Sequence, residues 1–226
     1  MARRSVDKTS CTTPSPPDNL HTVATFFSLA KGKVLHRVHK SDYRANQFNP
    51  RVDNNARFSS IYDIHVKLIP TLYGGKTMDC ALMETVFHDV PYTAGFKSID
   101  KKKLVGQVHS TVRVEQTLKL IDLASVHLRK LGVERKQLID TEKDQYPATR
   151  KWAEAFHHQC PKAQGLSWIS RQDDTSRAYV LFGDRIPGKA LRPVDKPRSL
   201  LDDTDAYEDV LDLAKRIGVE IVPGIS

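Results

Sequence analysis

The chain has 226 residues and a mass of 25.5 kDa, long for one domain and short for two, so one domain with extensions is expected. Hydrophobic residues make up 39%, charged residues 27%, and the mean hydropathy is −0.45, which excludes a disordered or fibrous chain. No stretch approaches the ~20 apolar residues that a membrane-spanning helix needs. The formal net charge is +8, yet residues 196–226 hold four basic and seven acidic side chains, so the preceding body carries +11. A basic body with an acidic tail points to an anionic ligand, nucleic acid or an acidic partner, and charge alone does not choose among them.

Residues 1–19 are polar, with Pro14, Pro16 and Pro17, and read as a mobile arm unlike a secretory signal. Residues 20–226 then form the single domain. Asn19 can cap a helix that runs through Phe27 and Leu29 to Gly32. Residues 34–39 read as a strand, residues 44–55 as an Asn/Asp/Pro-rich loop, and residues 57–61 as a short strand. Residues 69–73 form an apolar run ending at Gly74-Gly75, after which Thr77 caps a helix extending to about His88. Alternation marks strands over residues 104–114 and 118–123. A helix from Ser125 stops at Gly132, and Pro147 suits the first turn of a helix carrying Trp152 and Phe156. Residues 166–169 and 178–182 read as strands, Thr204 as the cap of a last helix ending near Gly218, and residues 219–222 as a closing strand. Strands and helices mix without regular β-α alternation, so α+β is expected over a doubly wound sheet.

Cys11, Cys80 and Cys160 are odd in number, widely spaced and free of any C-x-x-C, which argues against a disulfide framework or zinc knuckle and for a reducing, cytoplasmic working site. Gly74-Gly75-Lys76-Thr77 follows a strand and opens a helix, but a phosphate-binding loop needs a glycine where this chain has Pro70. Glu84 falls mid-helix among apolar residues, sharing a stripe with Cys80, Ala81, Phe87 and His88. A carboxylate there sits either at a solvent edge or in a lined cavity. Arg37 lies in the strand-like Leu35-His36-Arg37-Val38-His39 and Arg57 opens Arg57-Phe58-Ser59-Ser60. Such arginines serve either a phosphate or carboxylate through the guanidinium fork or a structural ion pair. Ser170 ends a strand without the G-x-S-x-G of a nucleophile elbow. His36 and His39 lie three apart in a strand and so face opposite ways, which gives a metal site no support. Tyr43, Phe48, Phe58 and Tyr62 among basic residues could stack nucleic-acid bases.

The order of these segments is more specific than any one of them. Leu35-His36-Arg37-Val38-His39, Ala56-Arg57-Phe58-Ser59-Ser60, Thr71-Leu72-Tyr73-Gly74-Gly75, Ala81 through His88, and Gly165-Leu166-Ser167-Trp168-Ile169-Ser170 together resemble the RES-domain family. That family is named for an arginine, a glutamate and a serine in this order. The resemblance covers residues 34–185 and is strongest from Tyr73 through His88. The family often has Arg-Trp-Asn where this chain has Arg57-Phe58-Ser59.

The resemblance implies a toxin that destroys NAD+ and is held in check by an antitoxin, or by an immunity protein if it is delivered into another cell. NAD+ is then substrate, with no cofactor or metal. The implied fold is similar to that of ADP-ribosyltransferase toxins: a split antiparallel β-sheet core with flanking helices and a cleft for NAD+. Glu84 would stabilise the developing charge at the ribose carbon. Arg37 and Arg57 would hold the pyrophosphate, Tyr73 would stack on nicotinamide, and Ser170 would bond ribose or hold Glu84. Transfer of ADP-ribose to a macromolecule is the alternative within this chemistry, and a non-catalytic nucleic-acid module the alternative outside it. A homodimer is compatible with either.

Overall fold

A computed structural model of the chain describes residues 12–53 and 55–224. In chain order it holds α1 (Leu20–Val23), β1 (Phe26–Leu29), β2 (Val34–Lys40), β3 (Ile61–Tyr62), β4 (Leu68–Ile69), β5 (Thr71–Gly75), α2 (Met78–Met83), β6 (Ser98–Asp100), β7 (Gln107–Val114), β8 (Leu118–Asp122) and α3 (Ser125–Leu131). α4 (Arg135–Leu138), α5 (Tyr146–Gln159), β9 (Gly165–Ile169), β10 (Arg177–Phe182), β11 (Leu191–Pro193), β12 (Arg198–Ser199), α6 (Thr204–Arg216) and β13 (Glu220–Val222) complete it. The main sheet runs β1-β8-β9-β10-β5-β2-β7-β11, with β12 also on β7. All its pairings are antiparallel except β8 with β9. The α+β expectation holds.

The hydrogen-bonded order is continuous, but it has one weak seam. β2 pairs with β7 along its whole length, from Val34 to Lys40, and β5 pairs with β10 from Thr71 to Gly75. Between β2 and β5 the ladder consists of the single pair His36–Gly75. Beyond it the two strands part.

β10 shows how the layers form. Ala178, Val180 and Phe182 join a core with Trp152, Ala153 and Phe156 of α5, while Tyr179 and Leu181 join a second core with Leu35, Leu72 and Val112 on the opposite face. This is the period-two alternation of a strand buried on both sides. A third core lies under α2 and α6, built from Leu82, Val86, Phe87, Leu104, Val210 and Leu213. α6, within the acidic tail, is thus part of the packed body. Its cap is Asp203, whose side chain accepts from the Ala206 amide, one residue earlier than the expected Thr204.

Four expectations fail locally. The helix proposed from Asn19 to Gly32 stops at Val23, and residues 26–29 form an edge strand on β8. Phe26, Phe27 and Thr25 favour extended backbone over helix once a partner strand is present. Residues 57–60 form a tight turn and only Ile61 is in a strand, because Ala56 and Ser59 bond each other's backbone and the Phe58 amide donates to the Tyr73 hydroxyl. The segment 12–19 is tied down: the Pro14 carbonyl accepts from Trp152 Nε1 at 2.7 Å and the Pro17 carbonyl from Gln159 Nε2 at 2.9 Å. The rest of the expected arm, with Cys11, lies outside the described residues; Cys80 and Cys160 are free and buried. Fourth, α2 ends five residues sooner than expected, which matters below.

Candidate active site

β5 and α2 carry the core of the site. Thr77 caps α2 as expected, its hydroxyl accepting from the Cys80 amide at 3.1 Å. The two glycines before it serve packing. A Cβ on Gly75 would lie 3.0 Å from Ala81 N and from the Cys80 side chain, so glycine lets α2 sit directly against the sheet. A Cβ on Gly74 would meet the His36 carbonyl at 3.3 Å and Arg37 Cγ at 3.6 Å. Its absence opens the path along which the Arg37 side chain crosses the seam.

Glu84 is the residue that closes α2, with αR backbone, where the sequence suggested a mid-helix position. The Thr85 hydroxyl donates to the Ala81 carbonyl at 2.7 Å, satisfying one of the open carbonyls at this helix end. Ser170 donates to Glu84 Oε1 at 2.6 Å. Ser170 is fully buried, and its oxygen accepts the Gln172 and Asp173 amides, each at 3.0 Å. Its proton and both lone pairs are therefore committed, and Ser170 holds Glu84 without itself lining the cleft.

The cleft opens where β2 and β5 part and encloses about 410 Å³. Arg37, Arg57, Tyr73, Glu84, Tyr146 and Trp168 are among its walls. Arg37 is 7% exposed and Arg57 5%. Arg37 Nε donates at 3.0 Å to the Tyr73 carbonyl, left unpaired by the divergence of the strands, and its Nη1 donates to the Ala45 carbonyl. Arg57 reaches the Thr141 hydroxyl and carbonyl, both at 3.4 Å, and lies 5.5 Å over the Tyr146 ring. Neither guanidinium has a carboxylate within ion-pair distance among the described residues. Burial alone lowers the Arg37 pKa to about 10.

The Tyr73 ring lines the cleft, while its hydroxyl accepts from the Phe58 amide at 3.0 Å and the Ser59 hydroxyl at 3.3 Å. It thereby fastens the turn that carries Arg57. Burial pushes its phenol up to about 12. The Cys80 thiol is likewise pushed up to about 12, first by burial and then by the nearby Glu84 carboxylate. Tyr146 completes this wall; burial raises its phenol, and the charges of Arg57 and Glu84 both act on it. At the rim Asp89 meets Lys143 and His88, at 2.8 and 2.9 Å.

All five residues singled out from the sequence converge here, four on the cleft and Ser170 behind Glu84. Sequence reasoning missed Tyr146, Lys143, Asp89 and Trp168. The aromatic surface proposed for bases does not form, because Phe58 is fully buried beneath Trp168. Among the described residues no cluster of metal-ligating side chains occurs and no helix is long and apolar enough to cross a membrane.

No curated protein matches the chain. The RES domain family model matches residues 34–203, reaching beyond residue 185, where the resemblance was expected to end, and taking in β11 and β12. That match covers most of the sequence and includes every residue described in the cleft, so the chain belongs to the RES domain family.

Proposed function

We propose that the cleft binds NAD+ and cleaves its nicotinamide–ribose bond by hydrolysis or phosphorolysis, and that the protein is a toxin in the manner of its family. The observation that carries this reading is the pair of buried guanidiniums without a carboxylate partner among the described residues, beside one carboxylate fixed by a buried serine. Buried cations are costly unless an anion compensates them, and a pyrophosphate offers the bidentate geometry a guanidinium fork fits. When the bond to the ring breaks, nicotinamide leaves with the bonding electron pair and loses its pyridinium charge, and positive charge develops at the ribose carbon. A fixed carboxylate such as Glu84 stabilises that charge, more strongly in a cleft that excludes water. Tyr73 offers an aromatic wall for the flat ring. The opening between β2 and β5 is in keeping with the split-sheet core of ADP-ribosyltransferase toxins.

The test is to mix the purified chain with NAD+ and follow nicotinamide release with and without phosphate. Release that depends on Glu84 is expected. Intact NAD+ after prolonged incubation with folded protein overturns the reading, and label from NAD+ retained on a macromolecule reassigns the acceptor. A toxin acting on a central cofactor also needs a neutraliser, and we propose a protein that covers the cleft mouth at Asp89 and Lys143. Co-expression with the product of the adjacent gene is expected to restore cell growth and to mask those two residues from solvent labelling.

A further inference from the structure

The chain contains two tryptophans, Trp152 and Trp168, and both are 1% exposed. They differ in the fate of one proton. Trp152 Nε1 donates to the Pro14 carbonyl at 2.7 Å. Trp168 Nε1 is buried with no acceptor among the described residues, although its side chain lines the cleft. A buried donor left without an acceptor destabilises the empty protein, and native structures seldom tolerate one without a reason.

The surroundings explain why the protein supplies no acceptor. Trp168 stands directly across from Ala178 in the β9–β10 register, and Ala81 borders the same cleft; neither side chain carries a polar atom. Two rings are set edge-on to Trp168, Phe58 at 5.3 Å and Tyr73 at 6.3 Å between centroids. The Tyr73 hydroxyl is already bonded to the Phe58–Ser59 turn. This corner of the cleft therefore sets aromatic and apolar neighbours around one neutral N–H. It contrasts with the arginine side, which is suited to phosphates. The matching occupant is a flat heteroaromatic ring with a single uncharged acceptor at its edge.

We propose that Trp168 is the base-specificity residue of the cleft, its indole N–H donating to the carboxamide carbonyl of the nicotinamide ring. The assignment rests on the NAD+ reading above and adds what selects the leaving base. A pyridine that keeps a meta carbonyl should bind, and one that replaces it with a methylene should lose the contact and leave the N–H unpaired.

Because the chain has two tryptophans, NMR of the indole N–H groups gives two signals, assigned by the loss of one in Trp168→Phe or, should that variant not fold, in Trp152→Phe. Adding NAD+ to the Glu84→Gln protein, which holds it uncut, is expected to move the Trp168 proton downfield and leave the Trp152 signal in place. Titration of the unmodified chain with meta-acetylpyridine and meta-ethylpyridine should show about a tenfold preference for the carbonyl compound, the scale of one neutral hydrogen bond. Trp168→Phe should abolish that preference. If NAD+ binds and is cleaved while the Trp168 signal stays still, or if Trp168→Phe retains the preference, the assignment to Trp168 falls and the NAD+ reading stands. If NAD+ neither binds nor is cleaved, both fall together.

Discussion

The two walls of the cleft are built on opposite terms. On the acid wall the carboxylate is anchored through one oxygen: Ser170 holds Glu84 Oε1 at 2.6 Å and is itself held by two amides. On the cationic wall, Arg57 reaches Thr141 at 3.4 Å and lies over Tyr146, and Arg37 donates to carbonyl oxygens, with no carboxylate partner for either among the described residues. One wall holds its charged group by a buried hydroxyl; the other leaves its charged groups electrostatically open. A preorganised acid suits a group whose task is to stabilise charge as it develops. Open cations suit groups whose task is to receive an anion already charged. On the proposed function, the contrast separates turnover from binding along the two sides of one cavity.

The sharpest way to break that separation is Glu84→Gln. It should lower nicotinamide release by at least about a hundredfold while leaving NAD+ affinity nearly unchanged, the pattern of a contact realised in the transition state. Turnover equal to the unmodified chain would remove Glu84 from the chemistry. On the other wall, Arg57→Ala should weaken kcat/KM by roughly ten- to a hundredfold, and Arg57→Lys should recover only part, because a point charge lacks the fork. Full recovery with lysine would reduce Arg57 to a structural cation.

Ser170→Ala tests whether fastening matters. It should lower kcat by about tenfold with little change in KM, and cost roughly 1–3 kcal/mol of stability by stranding the two amides and the carboxylate that bond its buried hydroxyl. A change confined to KM would place Ser170 on the ligand instead. Gly75→Ala should cost about 1–3 kcal/mol in chemical denaturation, since the added methyl forces α2 off the sheet. Unchanged stability would show that the wall is less rigid than its packing implies.

The smallest effect belongs to the rim. Lys143 and His88 hold the Asp89 carboxyl down to about 2 from 3.8, and the Asp89 and Lys143 side chains are each more than half exposed. A depressed acid contributes stability above its unfolded pKa and loses it as pH falls, here between about 4 and 2. With solvent screening, Asp89→Asn should cost under about 1 kcal/mol at neutral pH, and nothing below pH 2. An equal cost at both pH values would refute the ion-pair account.

How much of this was legible in the sequence follows the range of the interactions. The unit from Tyr73 to Thr77 was readable because its signals are local: an apolar run, two glycines and a capping threonine. Arg37 and Arg57 could be named, but their lack of carboxylate partners among the described residues could not, because it depends on what 84 residues of separation bring beside Arg57. Glu84 was placed mid-helix because the apolar periodicity continues to Phe87, yet Val86 and Phe87 reach the third core from a turn. The segment after Val23 was misread because pairing with β8 overrode a local helical pattern. Trp168 lies in a segment that carries the family resemblance, but nothing in the sequence marks its indole: an orphaned proton is defined only by everything around it.

The single-pair junction between β2 and β5 has a mechanical corollary. Where backbone pairing stops, the Arg37 side chain takes over, stitching the Tyr73 carbonyl to the neighbouring strand. On the proposed function, the same guanidinium is both a suture in the sheet and a lure for the substrate's phosphates. Removing it would loosen the scaffold and blunt recognition in a single stroke, and an occupant that grips it should make the whole sheet harder to melt.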